Sequence, residues 1–162
     1  MFGLTVLGAI HTAISLVAVG AALVAFAHAG AISLKTGVGK LYAATTVLTC
    51  LTALGIYRHG GFGPPHALAL ITLLVLALGA AAELKRSFGR ASPYVATLSY
   101  SATFLFHMIP AVTETTTRLP LGHPLLADAA APELKTAIGV LLALFLLGAG
   151  WQALRLRASA TQ

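Results

Sequence analysis

Six histidines stand in a chain with few other polar side chains, and two of them, His11 and His107, interrupt long apolar runs. Neutral imidazole is cheaper to hold in an apolar site than a carboxylate, and it is the commonest biological metal ligand. The stretch from Tyr94 to Arg118 reads YVATLSYSATFLFHMIPAVTETTTR. Within it Tyr100, Thr103, His107, Pro110 and Glu114 recur at steps of three and four, which return to one side of a helix. In a bilayer such a polar face turns into the protein rather than toward lipid, so this helix is expected to line whatever site the protein has.

Several chemistries suit these residues. His11 and His107, facing each other from different helices, would take a b-type haem, with Gly8 and Ala111 small enough beside the ligands to admit the macrocycle. Three donors, His11 and His107 with His66 or Glu114, would take zinc or copper and leave a position open for water. Glu114, His107 and Tyr100 together would suit a proton relay. Against all of these stands plain packing, in which each imidazole is hydrogen-bonded by hydroxyls such as Ser15, Thr45, Thr49 or Thr52. No His-x-x-x-His or Cys-x-x-Cys pair occurs, so any ligands come from different helices. His107 and Glu114 are two turns apart, about 10 Å along a helix, and would share an ion only if the helix bends. Pro110 between them removes the hydrogen bond to the Phe106 carbonyl and would kink the helix there, for function or for packing alone.

The elements that must position these groups follow from composition. Of 162 residues 58% are hydrophobic and 9% charged, with a mean hydropathy of +0.91, a balance foreign to ordinary soluble domains. A bilayer core takes about 20 apolar residues to cross, so the chain holds several spans and no separate soluble domain. It reads as an all-α membrane protein, one transmembrane helical domain over residues 1–162. Five spans are expected, at about 4–27, 41–57, 66–82, 94–113 and 133–154. Gly37 and Gly39 are expected to make the first turn, and residues 58–65 a compact reversal of glycine and proline. Glu83, Lys85, Arg86 and Arg90 are expected in a polar loop, and Thr113 to Ala131 in the longest connection. Ala27-His28-Ala29 resembles a signal-peptidase site, but no positive charge precedes the apolar run, so it is taken as a retained span. The single cysteine, Cys50, precludes an intramolecular disulfide and dithiol chemistry and is expected to pack in the core.

Charge asymmetry orients the bundle. With the N-terminus outside and the C-terminus inside, Lys35, Lys40, Lys85, Arg86, Arg90, Arg155 and Arg157 lie on the inner side, while Arg58, Arg118 and Lys135 lie outside. The net charge of +6 is thus a topology signal rather than a nucleic-acid footprint. On this topology His11 and His107 share a depth, each roughly 10 Å below the outer boundary at the helical rise. His66 sits at the outer mouth, His59 and His123 in outer loops, and His28 at the inner boundary.

The order of a first-helix histidine, the turn Lys35-Thr36-Gly37-Val38-Gly39-Lys40-Leu41-Tyr42, then Gly63-Pro64-Pro65-His66 opening a span and a basic loop, resembles an uncharacterised family of bacterial multi-pass membrane proteins. In that family the turn commonly reads His-Arg-x-x-Gly-Arg-x-Tyr. Gly39, Lys40 and Tyr42 fit it, whereas Lys35 and Thr36 stand where His and Arg would be expected. The resemblance runs over roughly residues 8–120 and implies a bacterial inner-membrane bundle without supplying a function.

The combined expectation is a five-helix inner-membrane protein with a small polar cavity opening outward, lined by His11, His66, His107 and Glu114. It would bind a transition metal or haem b there and carry electrons. One alternative is a proton-coupled transporter or channel-like component, and another is a structural membrane subunit. Its surroundings would be the lipid bilayer, with a homo-oligomer or larger membrane complex as the setting.

Overall fold

The computed structural model describes residues 5–57 and 61–160, so Arg58 and His59 lie outside the described residues. Among these residues the chain forms five long helices and no strand: α1 (Val6–Ala29), α2 (Gly37–Leu54), α3 (Pro64–Lys85), α4 (Ser92–Arg118) and α5 (Pro132–Ala160). Each is long and apolar enough to cross a membrane. The chain is therefore a multi-pass helical bundle of the expected class.

Helix boundaries follow local chemistry. The Thr5 hydroxyl accepts the Gly8 N–H at 3.1 Å and starts α1, and Gly30, in the left-handed region at φ 71°, ends it. A side-chain acceptor satisfies an N–H that the first turn leaves without an intrahelical partner, and glycine adopts positive φ without strain. Thr36 starts α2 in the same way, accepting the Gly39 N–H at 3.0 Å. This moves the start of α2 ahead of the expected position and puts Gly37 and Gly39 inside the helix, not in the turn. Gly39 is held there by packing: a Cβ on it would lie 1.9 Å from the Ser33 carbonyl oxygen. Pro64 and Pro65 occupy the first turn of α3, where their missing N–H groups are not needed.

α3, α4 and α5 outrun their expected ends. α3 continues to Lys85, which takes Glu83 out of the polar loop and into the helix. α4 continues through Pro110 to Arg118, so Thr113 to Arg118 are helical rather than part of the long connection. α5 extends to Ala160 and carries Arg155 and Arg157 with it.

Consecutive helices pack side by side, and α4 meets α1, α3 and α5. The core is built on small residues: Ala18, Ala21, Ala22 and Ala25 of α1 pack with Tyr42, Leu76, Ala96 and Tyr100. Lipid tails are as apolar as leucine, so close approach of small residues, more than hydrophobic burial, holds spans together. Gly79 shows the fit, since a Cβ there would come within 2.9 Å of the Tyr100 ring. α5 buries little beyond Leu134 and Gln152. Gln152 ties it down, donating to the Gly30 carbonyl at 2.8 Å and accepting from Ser101 at 2.8 Å. Arg155 stacks over Trp151 at 4.8 Å and reaches the Ala29 carbonyl. The bundle end with the α1–α2 and α3–α4 connections and the end of α5 gathers Lys35, Lys40, Lys85, Arg86, Arg90, Arg155 and Arg157, and is called the basic end below.

Candidate functional site

The buried polar groups line up along α2. Tyr42, Thr46 and Thr49 are buried at steps of four and three, one face of a helix, and Thr52 continues the row. Across from them α4 buries Tyr100, Thr103 and His107. The Tyr42 and Thr103 hydroxyls are 2.7 Å apart, and Thr103 donates to the Tyr100 carbonyl at 2.8 Å. The Thr46 hydroxyl lies 3.1 Å from Nε2 of His107 and also within reach of Tyr42. On the other side of α2, Nδ1 of His11 meets the Thr49 carbonyl at 3.1 Å and the Thr52 hydroxyl at 3.0 Å.

Proton positions follow from which partners can only accept. A carbonyl only accepts, so Nδ1 of His11 carries the hydrogen and Nε2 holds a lone pair. Thr103 spends its hydrogen on the Tyr100 carbonyl, so Tyr42 must donate to Thr103. Both rings rest on the Thr46–Thr52 stretch of α2. The two histidines expected on different helices thus each meet α2, and among the described residues no hydrogen bond joins one ring to the other.

At the basic end the column meets a carboxylate. The Tyr100 hydroxyl donates to Oε2 of Glu83 at 3.0 Å, the Leu34 N–H donates to the same oxygen at 2.9 Å, and the Ser33 hydroxyl donates to Oε1 at 2.5 Å. Three donors on one carboxylate hold it in place where a bare charge would not be tolerated. Glu83 was missed in the sequence because it stands two residues from Lys85 and reads as loop. The signal that could have found it is that it is the only acid on the predominantly basic side.

The other expected residues do not join the pair. His66 is buried, with its ring between Tyr57 (4.9 Å) and Phe62 (5.4 Å). Its Nδ1 accepts the Gly63 N–H at 3.1 Å, so neutral His66 carries its hydrogen on Nε2 and has no lone pair there for a metal. That Nε2 meets no hydrogen-bond partner among the described residues. Glu114 is exposed and forms an ion pair with Arg118 one turn on. The polar face of α4 is therefore buried from Tyr100 to His107 and emerges at Pro110 and Glu114. Among the described residues no three His, Cys, Asp or Glu side chains come together as ligands for one ion. His28 and His123 are exposed.

Neither cavity described is lined by His11 or His107. The polar one, about 350 Å³, opens at the basic end around Glu83, the opposite end from the expected histidine-lined mouth. The second, about 380 Å³, is an apolar groove between α2 and α3. No protein-family model, curated protein or solved structure matches the chain.

Proposed function

We propose that this is a bacterial inner-membrane protein that moves protons through its helical bundle, as a proton-coupled transporter or channel-like component. The observation that carries the reading is the polar column from Glu83 through Tyr100, Thr103, Tyr42 and Thr46 to His107, with His11 held separately at Thr49 and Thr52 further along α2. Taken with His11, these groups run from two residues before the end of α3 to the sixth residue of α1, close to the full depth of the bundle. Ionisable side chains inside spans are expensive, and proton pathways are a principal reason to keep them there. The column has a protonatable group at each end, Glu83 and the histidine pair. Glu83, not Glu114, is the relay acid, because Glu114 sits outside the bundle with Arg118.

The column is interrupted where Thr103 donates to the Tyr100 carbonyl, since a carbonyl passes no proton on, and again between His107 and His11, which share no hydrogen bond among the described residues. At rest the path is broken, and movement of Tyr100 or entry of water completes it. That favours a gated or coupled carrier over an open pore. The bias of Lys and Arg to one end supports an orientation with that end, and the C-terminus, inside. Purified protein in liposomes with an entrapped pH dye tests the reading: an imposed potential should drive proton uptake, and Glu83→Gln and His107→Ala should abolish it. Wild-type vesicles no faster than empty ones would sink the reading.

A second reading is favoured by one observation. Metal-bound histidines donate their other ring N–H to a carbonyl or carboxylate, and His11 does so to Thr49, leaving Nε2 for a metal or a haem iron. His107 would have to release Thr46 to use Nε2 as the second ligand. A haem held by this pair would supply one-electron transfer.

A further inference from the structure

The two cavities lie on either side of one hydrogen bond. Leu34 lines the apolar groove, and its N–H is bound by Glu83, which lines the polar cavity. The polar cavity presents Ser33, Lys35, Arg86, Ser92 and Thr97 around that carboxylate. Glu83 is occupied by its three donors, and among the described residues neither Lys35 nor Arg86 forms an ion pair. Two cations from different connections thus face one cavity of about 350 Å³, whose single carboxylate, Glu83, is already engaged by three donors. Arg86 also holds the left-handed conformation, φ 52°, at the C-cap of α3, a position glycine takes freely and other residues take with strain. From the junction the apolar groove, about 380 Å³, follows Leu34, Val47, Leu73, Leu76, Ala77 and Ala80 down the α2–α3 flank.

We infer that this composite site binds one anionic phospholipid, with its phosphate between Lys35 and Arg86 and an acyl chain along the α2–α3 groove. Guanidinium and ammonium groups recognise phosphate by charge-assisted hydrogen bonds. The Thr97 hydroxyl, which lines the same cavity, is placed to address the polar part of the headgroup. The groove makes the ligand a lipid rather than a soluble phosphate, because a free ion gains nothing from an adjoining apolar channel. The carboxylate that anchors the polar column also lines the headgroup cavity, so the bound lipid sits directly against the buried network.

The test uses the full chain in neutral-lipid nanodiscs, titrated with fluorescent phosphatidylglycerol, with phosphatidylcholine and inorganic phosphate as competitors. Phosphatidylglycerol should bind saturably and resist both competitors. Lys35→Gln and Arg86→Gln should each weaken it about fivefold, the worth of one basic residue at an anionic headgroup. Ala77→Phe, which fills the groove from an exposed position, should weaken it with the cations intact. Lys40→Gln and Arg157→Gln, exposed cations of the same end, should leave it unchanged. Equal losses in these two variants would reduce the effect to general surface charge and overturn the site. Displacement by inorganic phosphate alone, or unchanged binding in Lys35→Gln and Arg86→Gln, would overturn it as well. Helical content measured for each variant separates lost binding from lost fold.

Discussion

Replacing Glu83 by alanine removes the acceptor of three hydrogen bonds at once, from Ser33, Leu34 and Tyr100. Hydrogen bonds between spans average about 0.6 kcal/mol and reach about 1.7, and bonds to an ionised acceptor run roughly twice as strong as neutral ones. Glu83 is partly accessible from the cavity beside it, so water replaces part of what is lost, and about 3 kcal/mol is expected for Glu83→Ala. Tyr100→Phe removes one of the three bonds and should lower stability by about 1.5 kcal/mol on the same scale. The Tyr100 side chain is fully buried, and its hydroxyl is left without this partner when Glu83 is gone. Tyr100→Phe in the Glu83→Ala background should therefore have almost no effect, giving a coupling of about 1.5 kcal/mol in the double-mutant cycle. The assay is reversible unfolding in mixed micelles, read by helical circular dichroism. Additive losses, with coupling near zero, would refute the placement of Glu83 as a functioning partner of Tyr100.

Gly39→Ala should prevent stable assembly, because its Cβ would sit 1.9 Å from the Ser33 carbonyl oxygen and backbone cannot yield as a side-chain tip does. Gly20→Ala, in open space on α1, should be tolerated, and monodispersity on gel filtration separates the two. For the haem reading, absorbance of the purified protein should show a Soret band that His11→Ala and His107→Ala each remove; retention of the band in both would refute the pairing.

The five helices were legible because each is a long apolar run between polar or Gly/Pro breaks, and nothing else in the chain competes for the bilayer. Their ends were less so. Gly37-Val38-Gly39 reads locally as a turn, yet Thr36 caps a helix there and the Ser33 backbone demands a residue without a Cβ. That contact spans six residues and leaves no mark in hydropathy. Thr52 was among the hydroxyl residues expected to hold an imidazole, and it meets His11, whereas Thr49 does so through its backbone carbonyl. Thr45, named with them, turns back on the Leu41 carbonyl of its own helix.

The carboxylates were misassigned in both directions for one reason. Whether an acid near the end of a span turns inward depends on partners far away in the chain. Glu83 finds Ser33 and Leu34 some fifty residues earlier and Tyr100 on the next helix. Glu114 has the right spacing to continue the face of His107, but Arg118 one turn on offers a local pair at the helix end, and an exposed ion pair avoids burying a charge altogether. Helical spacing gives a face its direction but not where neighbouring helices stop covering it.

Proton flux in liposomes tests the central claim most directly. The chain should carry protons down an imposed potential, and Glu83→Gln should stop that flux while helical content stays that of the parent. Undiminished flux in Glu83→Gln, or none in the parent protein, would contradict a proton path through the buried column.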